Sequence, residues 1–294
     1  MTGELDLAQV RRAFARAVAD YDAHAALQME VGRRLRERLE CATREPERVL
    51  DVGAGTGHGA AALRAHWPRA KVIALDLSLP MLRVAKRRAG WWKPFMRVAG
   101  DALALPLPDR GIDVLHSNLC IQWCDGSALP FAEFARVLKP GGLMLLSTFG
   151  PDTLRELRAA WAAADDAHPH VGRFLDMHDI GDAMLAAGLR DPVLDVEHLT
   201  VTYPDVHALM RELKGIGATN AASDRARGLT GKARFARMRE AYEAMRVDGR
   251  IPSTWEIVYA HAFGPPEGQP RRSGVDGEVA TFSAERLRGS RRKR

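Results

Sequence analysis

Cysteine is scarce in this chain of 294 residues: Cys41, Cys120 and Cys124 are the whole complement. Three is too few and too odd for a disulfide framework, so a reducing cytoplasm is the expected setting. The Cys120-x3-Cys124 pair has no His or Cys partners nearby and reads as small residues beside a strand end, so no metal is expected. No apolar run approaches the ~20 residues that cross a bilayer, and no membrane partner is expected. The opening residues Met1–Asp6 are acidic and carry no apolar core, which argues against a secretory signal. No H-x3-H, H-E-x-x-H or G-x-S-x-G pattern stands out, which leaves metal hydrolase and serine esterase chemistry without support. Internal repeats are absent as well.

Charge is close to balanced where it matters. The formal net charge is +6, but residues 265–294 hold eight Lys/Arg against four acids and contribute +4 of it. The other 264 residues carry only +2. A basic end on a near-neutral body reads as a solvated, disordered tail and does not make the body a nucleic-acid binder. Hydrophobic residues make up 46% and charged residues 27%, as in soluble globular proteins.

What is present is a strand-and-helix alternation. Residues 6–40 read as helix, with an apolar stripe through Val10, Phe14, Ala17, Val18, Tyr21 and Ala25. Apolar runs at 48–52, 71–75, 95–99, 112–117 and 143–149 read as strands. Helices are expected over 57–67, 79–88 (with Ser78 as N-cap) and 127–138, the last stopped by Lys139-Pro140-Gly141-Gly142. Beyond them come helices over 152–163 and 177–187, a β-rich run over 193–203, a basic helical stretch over 205–248, and a last strand ending at Phe263. Such alternation gives a doubly wound parallel sheet.

The sharpest signal is Val49-Leu50-Asp51-Val52-Gly53-Ala54-Gly55-Thr56-Gly57, answered by Asp76 at the end of the next apolar run. Bare backbone at Gly53, Gly55 and Gly57 admits a close ligand, and a carboxylate at a strand end accepts hydrogen bonds from ribose hydroxyls. A dinucleotide fingerprint would need glycine at position 58, which is His58; the glycines run G-x-G-x-G-x-G instead. This resembles motif I of the S-adenosylmethionine (SAM) methyltransferases. Asp51 reads either as the residue that orients the loop or as a partner of the cofactor's amino group. Asn118, at the end of the fourth strand, either faces the sulfonium or satisfies backbone. His24, His58 and His116 are single histidines and read as structural or surface residues.

Longer motifs narrow the resemblance. Tyr21-Asp22-x-His24-Ala25-x-Leu27-Gln28, Ser117-Asn118-Leu119-x-x-Gln122-Trp123 and Ser147-Thr148-Phe149-Gly150-Pro151-Asp152-Thr153-Leu154-x-Glu156-Leu157 are similar to those of the malonyl-acyl carrier protein O-methyltransferases of biotin synthesis. So are Asp176-Met177-His178-Asp179-Ile180-Gly181-Asp182 and Leu213-Lys214-x-x-Gly217-Ala218-x-Asn220. The resemblance spans about residues 10–263. It implies an α/β class I SAM-dependent methyltransferase (Rossmann-like) fold: a seven-stranded sheet with a helical lid insertion. Its parts would be an N-terminal helical lid segment (1–45), a SAM-binding core (46–204), the insertion (205–250), a final strand (251–264) and the tail (265–294). The implied cofactor is SAM, leaving as S-adenosylhomocysteine. It would be held by Gln28, Asp51, Gly53, Gly55, Gly57, Asp76, Leu77, Met81, Asp101, Ala102 and Asn118. The implied activity is carboxyl O-methylation of malonyl-acyl carrier protein, an acidic partner suited to the basic insertion. Tyr21, Arg211 and Lys214 are the expected positioners of the substrate carboxylate. A protein arginine or a quinone ring remains open as substrate, and so does non-catalytic SAM binding.

Overall fold

The computed structural model describes residues 5–42, 44–124, 130–164, 168–225, 228 and 230–266. Seven strands form one sheet: β1 (Arg48–Val52), β2 (Lys71–Asp76), β3 (Met96–Ala99), β4 (Ile112–Asn118), β5 (Leu138–Phe149), β6 (Arg190–Tyr203) and β7 (Ile251–Phe263). Their order is β3-β2-β1-β4-β5-β7-β6. The first five strands pair in parallel, and β7 runs antiparallel to both β5 and β6. The α/β sheet expected from the alternation is therefore present, with its last strand wedged between two earlier ones.

Alternation along each strand feeds two apolar layers. Val49, Val72, Ala74, Val114 and Leu145 face one side, where they meet Val31 and Leu35 of α3 (Ala26–Glu37), Leu63 of α4 (His58–His66) and Trp161 of α7 (Arg155–Ala164). Leu50, Ile73, Leu75, Leu115 and Leu146 face the other. There they meet Phe131 and Phe134 of α6 (Phe131–Val137) and Ile180 and Met184 of α8 (Met177–Ala186). Burial on both faces explains why the parallel strands read as continuous apolar runs.

Three local expectations are corrected. The single helix over 6–40 is broken into α1 (Leu7–Ala17), α2 (Tyr21–His24) and α3, with Ala25 at φ −90°, ψ 28° between the last two. Hydrogen bonds made by the intervening residues outweigh helix propensity: Asp20 N–H donates to the Ala17 carbonyl and Ala23 N–H to that of Asp20. Lys139-Pro140-Gly141-Gly142 does not merely stop a helix but opens β5. Gly141 N–H donates to the Gly264 carbonyl, and Gly264 N–H donates to that of Gly142. α6 starts at Phe131, residues 125–129 lying outside the description. The expectation for the tail falls almost wholly on 267–294, also outside the described residues.

The stretch over 205–250 holds α9 (Val206–Gly215) and α10 (Lys232–Glu243). It is joined to the N-terminal segment by a bridge between Leu5 and Ala222, by Asp6 N–H donating to the Ala221 carbonyl, and by an Arg225–Asp6 ion pair of 3.0 Å. α5 (Leu79–Ala85) follows β2, with Ser78 as its N-cap as the sequence indicates.

Candidate functional site

Strand order reverses at β1 and β4, and open α/β sheets bind ligands beyond the carboxyl ends of the strands at such a point. A cavity lies there. Val52, Gly53 and Gly55 line it from the turn after β1, and Asp76, Leu77, Ser78 and Met81 from the segment after β2. Gly100, Asp101 and Ala102 follow β3, and Asn118, Leu119, Cys120, Trp123 and Cys124 follow β4. Leu7, Val10, Arg11 and Phe14 of α1 and Tyr21 of α2 close the N-terminal side.

The turn after β1 needs its first glycine for two reasons. Gly53 has φ +73°, and a Cβ there would lie 2.4 Å from Cys120 Sγ. Asp76 is fixed by the same turn. Its Oδ2 accepts from Gly55 N–H at 2.7 Å and its Oδ1 from Ser78 N–H at 2.7 Å. Burial pushes its carboxyl upward while these two bonds pull it back. A carboxylate offers about four acceptor positions, so two bonds leave capacity for a vicinal diol.

Tyr21, Gly53, Gly55, Asp76, Leu77, Met81, Asp101, Ala102 and Asn118 thus come together around one cavity. Five other anticipated residues do not line it. Gly57 sits behind the loop as the N-cap of α4. Asp51 is buried beneath the loop, where its Oδ1 lies 2.7 Å from Nδ1 of the fully buried His116. This placement is compatible with the loop-orienting reading of Asp51. Gln28 lies on α3 and accepts Asn118 Nδ2–H at its backbone carbonyl, 3.0 Å away. Arg211 and Lys214 are exposed on α9 and line neither this cavity nor the one beside it. Charge and sequence position had suggested them, but helical phase points them to solvent.

Asn118 is locked from both ends, since Ser147 Oγ donates to its Oδ1 at 2.8 Å. The phenol of Tyr21 is pushed well above its usual value by burial and by the nearby carboxylates of Asp76 and Asp22, so it stays protonated. Burial likewise raises the Cys120 thiol and pushes Cys124 up to about 12. Neither cysteine is a nucleophile at neutral pH.

A latch whose central acceptor, Asp22, stood in a motif without a role ties the N-terminal segment to the glycine turn. Asp22 Oδ1 accepts from Thr56 Oγ–H at 2.6 Å, and Asp22 Oδ2 accepts from the Arg88 guanidinium at 2.5 Å. Arg88 also donates to the Thr56 carbonyl at 3.0 Å, and His58 Nε2 lies 3.3 Å from Asp22 Oδ1. Burial pushes the Asp22 carboxyl up, but the bonds from Thr56 and Arg88 outweigh it and hold the group below its usual value.

A second cavity adjoins the first and shares Trp123 and Cys124 with it. Its walls are largely apolar, from Phe149, Leu154, Leu157, Phe174, Ile180 and Leu213. Away from both cavities, Asp152, His198 and Glu256 bring potential ligand atoms within 4.8 Å of one another, the one such cluster among the described residues. Glu256 Oε2 is already engaged there by Asp152 N–H at 2.6 Å. Among the described residues no helix is long and apolar enough to cross a membrane.

The walls from α1 and from Cys120, Trp123 and Cys124 carried weak signals in the sequence. Val10 and Phe14 belong to a visible apolar stripe, but which surface that stripe covers is a tertiary fact.

Known proteins with this arrangement are numerous. The methyltransferase domain family matches residues 50–146. A malonyl-[acyl-carrier protein] O-methyltransferase of Xylella fastidiosa is 48% identical over 284 residues, covering 96% of each chain. One of the same name from Gallionella capsiferriformans is 46% identical over 89% of this chain and 92% of that one. The fold is shared with a SAM-dependent methyltransferase of Thermotoga maritima, whose crystal structure aligns with a TM-score of 0.51 at 17% identity. That alignment covers 86% of this chain and 99% of that one. Fold, glycine turn and full-length similarity agree: the chain belongs to the malonyl-[acyl-carrier protein] O-methyltransferase family of class I SAM-dependent methyltransferases.

Proposed function

We propose that this protein methylates the free carboxylate of malonyl-acyl carrier protein with SAM, giving the methyl ester that primes pimeloyl synthesis for biotin. The observation that carries the reading is the pair of adjoining cavities. One is lined by acids and bare backbone and suits an adenosine cofactor. The other is apolar and shares its wall. Close relatives bearing the malonyl-[acyl-carrier protein] O-methyltransferase name support the substrate.

In this reading Asp76 takes the ribose hydroxyls, Gly53 and Gly55 admit the cofactor to the backbone, and Asp101 and Ala102 border the adenine. Bound SAM supplies an electrophilic methyl group on a sulfonium. A malonyl carboxylate is ionised at pH 7, so the chain need not supply a base. No histidine lines the first cavity among the described residues. The protonated Tyr21 hydroxyl is suited to donate one hydrogen bond to the carboxylate and orient it without pairing a full charge against it. Phe14 and Trp123 meet edge to face at 5.2 Å and exclude water from the wall. Orientation of this kind accounts for ~7–11 kcal/mol in well-aligned reactions. Arg211 and Lys214, exposed on α9, are placed to meet an acidic carrier protein at its surface, not the reacting carboxylate.

The test is intact mass spectrometry of malonyl-acyl carrier protein after incubation with the protein and SAM, with acetyl-acyl carrier protein as control. One added methyl on the malonyl form alone is the expected result. No transfer, with SAM still bound by calorimetry, would discard the substrate and keep the cofactor.

A further inference from the structure

The second cavity has a feature that its apolar walls do not explain. Two buried donors on its lining make no hydrogen bond: the indole Nε1 of Trp255 and the hydroxyl Oγ1 of Thr219. Trp255 is 2% exposed. An indole N–H can only donate, and a buried donor left without an acceptor costs about 1–3 kcal/mol. Trp255 packs against Phe149 on the same wall, with ring centroids 5.2 Å apart. The other polar groups on the inner wall are occupied with each other, since Thr148 Oγ1 lies 3.2 Å from Gln122 Oε1 and Gln122 Nε2 donates to the Leu119 carbonyl at 2.8 Å.

The two ends of the cavity differ. Its inner wall, at Trp123 and Cys124, is the wall of the first cavity, while Arg173 and Asp224 on its lining are exposed. A chamber that is apolar, open at one end and joined to the methyl-transfer site at the other suits a slender acyl chain. The acyl group of the proposed substrate carries a carbonyl one methylene away from the carboxylate that reacts. Resting on the function proposed above, we infer that the second cavity houses the acyl-thioester arm of the substrate, with Trp255 Nε1–H and Thr219 Oγ1–H as the donors to its thioester carbonyl. Recognition of that carbonyl would be separate from recognition of the carboxylate, and a carboxylic acid without the thioester would be a poor acceptor.

Trp255→Phe keeps the ring and removes the donor, and Thr219→Val keeps the shape and removes the hydroxyl. Each is measured with two acceptors: malonyl-acyl carrier protein, and the same carrier bearing a carboxyethyl thioether, which keeps the carboxylate but lacks the thioester carbonyl. Wild type should lose about 10-fold or more in kcat/KM on the thioether. Each variant should lose about 3- to 10-fold on the malonyl thioester, mainly in KM, and little further on the thioether. Affinity for S-adenosylhomocysteine should stay at the wild-type value, a readout that general damage to the fold would move. Variants that discriminate between the two acceptors as strongly as wild type would overturn the assignment, as would a wild type indifferent to the carbonyl. Failure of wild type to methylate either acceptor would instead overturn the proposed function. If Trp255→Phe does not fold, Thr219→Val and the wild-type comparison of acceptors carry the test.

Discussion

Replacing Asp22 with alanine should open the N-terminal segment without touching the sheet. Asp22 is the shared acceptor that joins α2 to Thr56 in the glycine turn and to Arg88 beyond α5. A hydrogen bond to a charged group is worth about 1.5–3 kcal/mol. The Asp22 side chain is 35% exposed, so solvent screening selects the low end of that range for Thr56. The ion pair with Arg88, itself 26% exposed, adds no more than about 1 kcal/mol. The latch is therefore worth about 2 kcal/mol, or about 30-fold in the affinity of a ligand that the closed segment covers. Leu7, Val10, Arg11, Phe14 and Tyr21 all border the first cavity, so S-adenosylhomocysteine should bind the variant up to about 30-fold more weakly in calorimetry. Amide exchange over residues 7–24 should accelerate while β1 and β4 remain protected. Thr56→Val and Arg88→Met should each give part of the effect, and combining either with Asp22→Ala should add little. The pH dependence has a definite sign. The carboxyl is held below its ordinary 3.8, so the latch is at full strength at neutral pH and weakens only as pH falls below that value. Unchanged exchange over 7–24 together with an unchanged Kd would refute the reasoning.

Other substitutions probe the first cavity directly. Asp76→Ala removes the acceptor for Gly55 and Ser78 as well as the proposed ribose ligand, and should weaken S-adenosylhomocysteine binding by about 10- to 100-fold in calorimetry. Gly53→Ala should abolish cofactor binding, because its φ of +73° and the 2.4 Å approach to Cys120 Sγ both reject a Cβ. Cys120→Ala should not rescue it, since the Cys120 Cβ would still lie 2.6 Å away. Cys120 and Cys124 should resist iodoacetamide at pH 8 in the folded protein and react after denaturation, as read by peptide mass spectrometry. The rate of methyl transfer should stay flat from about pH 6 to 9, because neither the carboxylate acceptor nor the raised Tyr21 phenol titrates there.

The parts legible in the sequence are those where one residue type has one structural use. Val49–Val52 and Lys71–Leu75 read as strands because parallel strands are buried on both faces, and Asp76 read as a ligand because a carboxylate ending such a strand has few other uses. The break after Ala17 was not legible: Val18 and Ala19 sit comfortably in a helix, and the break shows only in the hydrogen bonds of Asp20 and Ala23 and in the contact of Asp22 with the glycine loop. Asp22 stood inside a recognised motif but without a role, since its partners Thr56 and Arg88 lie 34 and 66 residues away. Arg211 and Lys214 lie outside both cavities, which the sequence hid for a related reason. A basic residue at a helical position carries no mark of which face the fold will bury. Asp51 was read with its alternatives open, and its neighbour across the sheet, His116, engages one of its two carboxylate oxygens.

The position of β7 has a consequence for how the chain comes into being. β7 lies between β5 and β6, pairing with β5 through residues 257–263 and with β6 through 251–263. On a ribosome, more than a hundred residues must emerge after β5 before that strand's second edge finds its partner. Until then an apolar strand presents unpaired backbone, and β6 waits without a neighbour on either side. Nascent chains stalled before residue 251 should therefore hold a five-stranded parallel sheet prone to sticking to its own kind, and release of the last thirteen strand residues should convert it to the complete seven-stranded form.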